Sequence, residues 1–304
     1  MTTRSAVTGA FSYTGKYITR LLLEQGQHVI TLTSRKNDQN LFNGQVQAYP
    51  FQFDNPKALA ETLHGVDTLY NTYWVRFDHH QTTFGSAVEN TRTLIRAAKN
   101  AGVRRFVHVS ITNPTPDSNL PYFSGKAQLE GDLKASGLSY AILRPTVIFG
   151  DEDILINNIA YLLRRFPLFA IPGKGDYQLQ PIFAEDMAQL AVDAGQRKEN
   201  LTWDAVGPEI YTFSELVQLT RSVVGSRAGL INLPPSLVLT LSRMIGFFVE
   251  DVVLTEEEIL GLMANLLISA EVPTGHTSLR DWLHANANQV GRRYASELKR
   301  HYNA

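Results

Sequence analysis

One short segment near the start limits this chain more than any other: Val7-Thr8-Gly9-Ala10-Phe11-Ser12-Tyr13-Thr14-Gly15-Lys16. It joins a strand-like run at residues 5–8 to a stretch of helical spacing at 15–25, where Ile18, Leu21 and Leu22 share a face and Gly26 supplies a stop. A strand that turns through a glycine directly into a helix opens a strand–helix–strand crossover, and a crossover commits the chain to a parallel sheet. Gly9 suits the tight turn and Gly15 the close approach of helix to strand. The free N–H groups and positive dipole end of the helix then face an anion such as a diphosphate, with Ser12, Tyr13 and Thr14 around it. The dinucleotide-binding pattern has a third glycine where this chain has Ser12, a residue small enough for backbone approach that adds a hydroxyl donor. A nucleoside-triphosphate loop does not fit, because five residues separate the glycines and Tyr17, rather than Ser or Thr, follows Lys16.

The alternation continues through the first half. Residues 28–33, 46–49, 66–70, 104–109 and 140–143 read as strands, and 56–63, 89–101 and 126–136 as helices. The pattern predicts an α/β fold, a doubly wound parallel sheet of Rossmann type, over residues 1–150. Residues 151–304 read as a mixed segment. Helical spacing recurs at 155–166, 185–194, 212–224, 236–248, 255–267 and 278–298, with turn chemistry at 171–176. Part of it, about 180–206, is expected to return to the sheet, and the remainder to form a smaller helix-rich substrate region.

Composition removes several function classes. The 304 residues carry a net charge of −1, so no basic excess exists for nucleic-acid phosphates. With no Cys, disulfides, thiol nucleophiles, Cys-ligated zinc and iron–sulfur clusters are excluded. A Cys-free chain without a secretory signal pattern is expected in the cytoplasm. The most apolar long stretch, 237–249, is interrupted by Arg243 and closed by Glu250 and Asp251, and is too short to span a bilayer. It reads first as a buried helix; the alternative is an amphipathic helix on a membrane surface or along a greasy cleft.

The end of the second strand selects the cofactor. An acidic residue there would hold the ribose hydroxyls of NAD; this chain has Thr33-Ser34-Arg35-Lys36, and the planar fork of Arg35 suits a 2′-phosphate. NADP(H) is therefore expected over NAD(H). Asp54 is a candidate acceptor for the adenine amino group. Thr72, at the end of the fourth strand, is a further cofactor contact, since loops at the carboxyl ends of strands face the ligand crevice. Trp74, Arg76, Phe77, His79 and His80 follow in the same loop. The two histidines lack a third metal ligand, so no metal site is expected.

Tyr122 and Lys126 stand four residues apart after the fifth strand, a spacing that places them on one helical face. A nearby ammonium favours phenolate, and a phenol so tuned can give or take the carbonyl or alcohol proton while a nicotinamide moves a hydride. Ser110 or Thr112 would polarise the same oxygen. No Gly-x-Ser-x-Gly elbow supports a serine hydrolase. Lys174, Arg243 and Arg280 are candidate contacts for an anionic substrate, against the plainer reading of solvated surface.

These residues carry a resemblance. Thr8-Gly9-Ala10-x-Ser12-x-Thr14-Gly15, Asn90-Thr91, Gly102 through Ser110, Tyr122-x-x-x-Lys126, Leu143-Arg144-Pro145-Thr146-Val147-Ile148-Phe149-Gly150 and Gln180 through Ala188 make the chain similar to the extended or atypical short-chain dehydrogenases/reductases. Within them it resembles the branch of the complex I 39 kDa subunit and the NmrA-like proteins. The resemblance implies a parallel sheet of about seven strands and a catalytic set of Ser110, Tyr122 and Lys126. It also implies that the loop from Arg144, with Pro145 and Val147, lines the nicotinamide. Two departures from the family's sugar-nucleotide epimerases stand out: Ser110 and Tyr122 are only twelve residues apart, and the fourth strand runs Tyr70-Asn71-Thr72-Tyr73-Trp74. The leading expectation is an NADP(H)-dependent oxidoreductase acting on the carbonyl or alcohol of a small, fairly apolar molecule. A non-catalytic NADPH-binding sensor or accessory and assembly protein is the alternative, and an epimerase or dehydratase the third.

Overall fold

The computed structural model describes residues 3–34 and 41–301, without the side chains of the last two. In chain order it begins β1 (Arg4–Thr8), α1 (Tyr13–Glu24), β2 (His28–Leu32), β3 (Gln47–Tyr49), α2 (Pro56–Leu63), β4 (Thr68–Asn71), α3 (Phe84–Asn100), β5 (Arg105–Val109), α4 (Pro121–Ala135) and β6 (Ser139–Pro145). There follow β7 (Ile148–Phe149), α5 (Leu155–Arg165), β8 (Leu168–Pro172), β9 (Gln178–Leu179), β10 (Ile182–Phe183), α6 (Ala184–Gln196) and β11 (Leu201–Ala205). The remainder is β12 (Tyr211–Thr212), α7 (Phe213–Val223), β13 (Gly229–Leu233), α8 (Pro235–Val249), α9 (Glu256–Met263), α10 (Leu279–Ala285) and α11 (Glu297–His301).

Two units divide the chain. The first, Met1–Pro145 with Met187–Ala205, holds a seven-stranded sheet in the order β11-β6-β5-β4-β1-β2-β3, every neighbouring pair parallel. Strands covered on both faces read as nearly continuous apolar runs, and β1, β2 and β4 are buried along almost their whole length. One face packs Ile30, Leu69, Phe106 and Ile142 against Leu59 and Leu63 of α2, Leu94 and Ala98 of α3 and Leu133 of α4. The strand order reverses between β1 and β4, so the crevice where such sheets take ligands opens beyond Thr8 and Asn71.

Two arginines hold the end of α6 and the loop that leads into β11. Arg104 donates to Gly195 O at 3.2 Å, and the fully buried Arg105 donates to Ala194 O at 3.1 Å and Glu199 O at 2.9 Å. Carbonyls at a helix end have no intrahelical partner, and these guanidinium groups satisfy those that close α6.

Helices α3 and α4 each begin five residues before the periodicity suggests. A capping box between Thr83 and Ser86 starts α3. Pro121 occupies the first turn of α4, where its missing N–H costs nothing.

The second unit is Thr146–Asp186 with Val206–Ala304. Its core gathers Phe149, Ile156, Leu163, Leu216 and Trp282 among others. Three expectations need correction here. Residues 171–176 are not turn alone, because Ile171 and Pro172 finish β8, which pairs parallel with β13. Residues 278–298 are not one helix: α10 stops at Ala285, and the chain then turns through Gly291 at φ +69°. A Cβ at that glycine would lie 2.5 Å from the Ala160 carbonyl carbon, and Asn157 and Asn158 of α5 hold the segment through Gly291 N and Ala295 N. Third, α8 is not a buried helix: only Val238, Ser242 and Gly246 are buried, while Phe247 and Phe248 are 83% and 81% exposed. Among the described residues no helix is long and apolar enough to cross a membrane.

Candidate cofactor and active site

The turn after β1 is built on two glycines that nothing else replaces. Gly9 sits at φ +67°, and its N–H donates to Leu32 O at 2.8 Å. A Cβ at Gly15 would stand 2.2 Å from Gly9 O, inside a backbone contact that cannot give. Ser12, where the pattern has its third glycine, is the N-cap of α1 at φ −96° and ψ 169°, extended backbone that a serine adopts without strain. Its side chain makes no capping bond, so the hydroxyl is not spent on the helix. Tyr13, Thr14 and Gly15 form the first turn of α1. This narrow cradle at a helix N-terminus fits a dinucleotide diphosphate.

Across the switch point the loops are tied together. Thr8 Oγ1 accepts from Thr72 N at 2.7 Å and Tyr73 N at 3.0 Å and donates to Asn71 Oδ1 at 3.1 Å; Thr72 Oγ1 donates to Thr8 O at 2.6 Å. The Tyr73 N–H also donates to Asn71 Oδ1, which fixes the orientation of that amide. Asn71 Nδ2 then donates to His108 Nδ1 at 3.0 Å. Burial, reinforced by the charge of Lys126, holds His108 well below the usual imidazole range. The ring is therefore neutral with its proton on Nε2, a buried atom with no hydrogen-bond partner among the described residues. Thr72 thus lies against the phosphate turn. Asp54 is exposed, Pro145 ends β6, and Val147 falls in the second unit. Arg35, on which the coenzyme preference rests, lies outside the described residues.

Helix α4 carries the other candidates. Tyr122, Lys126, Glu130 and Lys134 recur every fourth residue along it. Lys126 is buried, donates to Val109 O at 2.7 Å and lies 4.4 Å from the Trp74 ring centroid. Burial lowers its pKa to about 7, with the Glu130 charge opposing the shift. The Trp74 ring meets Tyr122 edge-on at 5.7 Å and stacks on Phe84 at 6.1 Å. Gly125 makes room for it, since a Cβ there would lie 3.0 Å from Trp74 Cη2. Trp74 thus touches both members of the Tyr–Lys pair, within an apolar cluster that includes Val75, Phe84 and Ala87.

Ser110 and Thr112 are both buried just past β5. Ser110 Oγ donates to Glu130 Oε1 at 2.7 Å. Arg144 grips the same carboxylate through Nε at 2.9 Å and Nη2 at 2.6 Å, and this hydrogen bonding, helped by the Glu130 charge, raises the arginine's pKa against the effect of burial. Sequence reasoning missed Glu130, although the fourth-residue repeat from Tyr122 and Lys126 points to it; it missed His108 and Asn71 as well. His79 and His80 sit in a tight turn with ring centroids 4.2 Å apart, not on a regular element that would point them apart. Among the described residues no cluster of three potential ligands forms a metal site. Lys174, Arg243 and Arg280 are all exposed.

A protein-family profile described as NAD(P)H-binding matches residues 9–159. The chain is 29% identical over 261 residues to sterol demethylase protein B of Methylococcus capsulatus, covering 76% of this chain and 78% of that protein. It is 24% identical over 256 residues to the mitochondrial NADH-ubiquinone oxidoreductase 40 kDa subunit of Neurospora crassa, covering 79% of this chain and 65% of the subunit, just under two thirds of its length. Among solved structures it is similar to the Citrobacter sp. triphenylmethane reductase complexed with NADP(H), with a TM-score of 0.74 and 17% identity over 93% of this chain and 99% of that one. The chain therefore carries an NAD(P)H-binding domain.

Proposed function

We propose that this chain, which carries an NAD(P)H-binding domain and resembles the extended short-chain dehydrogenases/reductases, is an NADP(H)-dependent oxidoreductase of a small, fairly apolar carbonyl or alcohol. The observation that carries this reading is the Tyr122–Lys126 pair gathered against the Trp74 ring, in the unit that also holds the Gly9–Gly15 cradle. When bound, the coenzyme supplies or accepts the hydride. Gly9, Ser12, Tyr13, Thr14, Gly15 and Thr72 hold its diphosphate side, Asp54 its adenine, Arg35 its 2′-phosphate, and Pro145 and Val147 border its nicotinamide. Tyr122 gives or takes the proton at the substrate oxygen. Lys126 holds the ribose and tunes Tyr122, and the aromatic cluster of Trp74 and Phe84 excludes water and favours an apolar ligand. Residues 1–150 serve the coenzyme in this reading, and the helix-rich remainder the substrate.

Single-turnover oxidation of bound NADPH against aldehydes, ketones and quinones tests it. At least one should oxidise the coenzyme, and Tyr122→Phe should slow that step by about a hundredfold or more. Equal rates for both proteins on every compound would remove the catalytic assignment. A second reading, a coenzyme-binding accessory protein without turnover, is favoured by the Trp74 ring lying over Lys126. Arg35→Ser separates the coenzymes: NADPH should weaken while NADH is unchanged.

A further inference from the structure

Lys126 holds the ribose in the proposed reaction, yet the structure leaves it no open side. It is 2% exposed, and its ammonium donates to Val109 O at 2.7 Å against the Trp74 ring, whose centroid lies 4.4 Å away. No ligand reaches a group so enclosed until a neighbour gives way. The same ring meets Tyr122 edge-on, so one side chain covers both members of the pair.

The seat of that ring is built into the helix. Glycine weakens a helix interior relative to alanine, and α4 carries one at position 125, where a Cβ would lie 3.0 Å from Trp74 Cη2 and 3.3 Å from Val88 Cγ2. The Trp74 Nε1–H is buried and has no hydrogen-bond partner among the described residues, although a buried indole usually finds one. The ring can therefore leave its seat without breaking a hydrogen bond. Its stem is fixed: Thr72 N and Tyr73 N donate to Thr8 Oγ1, directly before Gly9 of the phosphate turn. The Tyr73 ring packs against Phe51 at 5.0 Å and Phe53 at 5.2 Å. Two peptide units, at most about 7 Å, separate Thr72 from Trp74, so a coenzyme laid from the Gly9 turn to Lys126 meets the indole on the way.

We propose that the Trp74 ring is a stopper on the coenzyme site: it fills the place on Lys126 that a ribose must take, and it turns off the Tyr122–Lys126 pair when the coenzyme enters. The inference rests on the oxidoreductase reading for the ribose, and on the contacts of Trp74 alone for the cover. The backbone stays tied to Thr8, so the movement is a rotation of one side chain. The ribose hydroxyls then replace the ring as partners of the ammonium, and Tyr122 is uncovered in the same step. Coenzyme entry and exposure of the proton donor are thereby coupled. The apparent affinity is reduced by the fraction of molecules whose ring is turned away.

Two measurements test this. The first needs no coenzyme: acetic anhydride labelling read by mass spectrometry. Lys126 should be acetylated about tenfold faster in Trp74→Ala than in the unmodified protein. Equal labelling of the two overturns the proposal, because the ring is then not what covers the ammonium. The second is calorimetric titration with NADPH, which Trp74→Ala should bind about tenfold more tightly; that gain would put the uncovered fraction of the unmodified protein at about a tenth. Gly125→Ala keeps the indole and pushes it from its seat. It should label and bind as Trp74→Ala does, and it decides the matter alone where the larger deletion unfolds the chain. If all three proteins bind NADPH equally, the oxidoreductase reading stands and only the stopper falls. If none of them binds it, that reading falls and takes the stopper with it.

Discussion

Two regions of this molecule invert the ordinary rule of polar outside and apolar inside, and they do so on opposite terms. In the first unit Ser110, Glu130, Lys126 and His108 are buried at the ends of β5 and along α4. In the second, α8 turns Leu237, Leu241, Met244, Phe247 and Phe248 to the outside. The buried set persists because most of its members are paired: Glu130 with Arg144, Ser110 with Glu130, Lys126 with Val109 O and the Trp74 ring. Within the exposed set Phe247 and Phe248 are the least covered, at 83% and 81% exposed, so little of the unit's core depends on them. A buried charge is a constraint on its neighbours, whereas an exposed ring is a constraint on what surrounds the protein.

The sharpest way to break the contrast is to remove one partner of the buried pair. Arg144→Met leaves the buried Glu130 carboxylate with the Ser110 hydroxyl and the more distant Lys134 as its partners, and should cost about 3–5 kcal/mol. Urea unfolding would show this as a lower midpoint at an unchanged slope; a midpoint that did not move would mean the pair is not buried in solution.

A smaller effect compares two ways of burying an ionisable group. Asp153 of the second unit pairs with no cation among the described residues: Ile156 N donates to it at 2.6 Å and Asn157 Nδ2 at 3.0 Å, and burial raises its pKa to about 7. Between the unfolded carboxyl range near 3.8 and about 7, the folded state binds more protons, so stability should fall as pH rises through that window. Lys126 runs the other way: its folded pKa of about 7 lies below the unfolded 10.5, so stability should climb from pH 7 upward and level off above 10.5. Each limb should approach about 1 kcal/mol per pH unit. Chemical unfolding across pH 4–10 should show a minimum near 7; Asp153→Asn should flatten the acid limb and Lys126→Met the alkaline one.

The least change is expected on α8. Phe247→Ser with Phe248→Ser should alter stability by no more than about 0.5 kcal/mol, while binding of a hydrophobic dye falls. A loss of several kcal/mol would show that these rings are packed after all.

Much of this was legible beforehand for a physical reason. Periodicity and glycine placement are local signals, and they located β1, α1, α2 and the switch-point strands within a residue or two. Gly9 and Gly15 were readable because backbone conformation and close approach restrict the residue type so strongly. The meeting of Ser110, Glu130 and Arg144 was not readable, since it needs the register of β5 with β6 and the packing of α4 beside them, which no local repeat encodes. Residues 278–298 misled because Trp282, Leu283 and Val290 have helical spacing, whereas Gly291 and the asparagines of α5 set the actual path. The exposed face of α8 was hidden for a related reason: an apolar run reads the same whether or not a neighbour covers it.

Calorimetric titration of the purified protein with NADPH and NADH asks whether a dinucleotide sits on the amino end of α1. Binding should saturate, be tighter for NADPH, and weaken at least tenfold, about 1.4 kcal/mol, in Gly15→Ala, where the added methyl meets Gly9 O. No heat with either coenzyme, or the same affinity in Gly15→Ala, would contradict it.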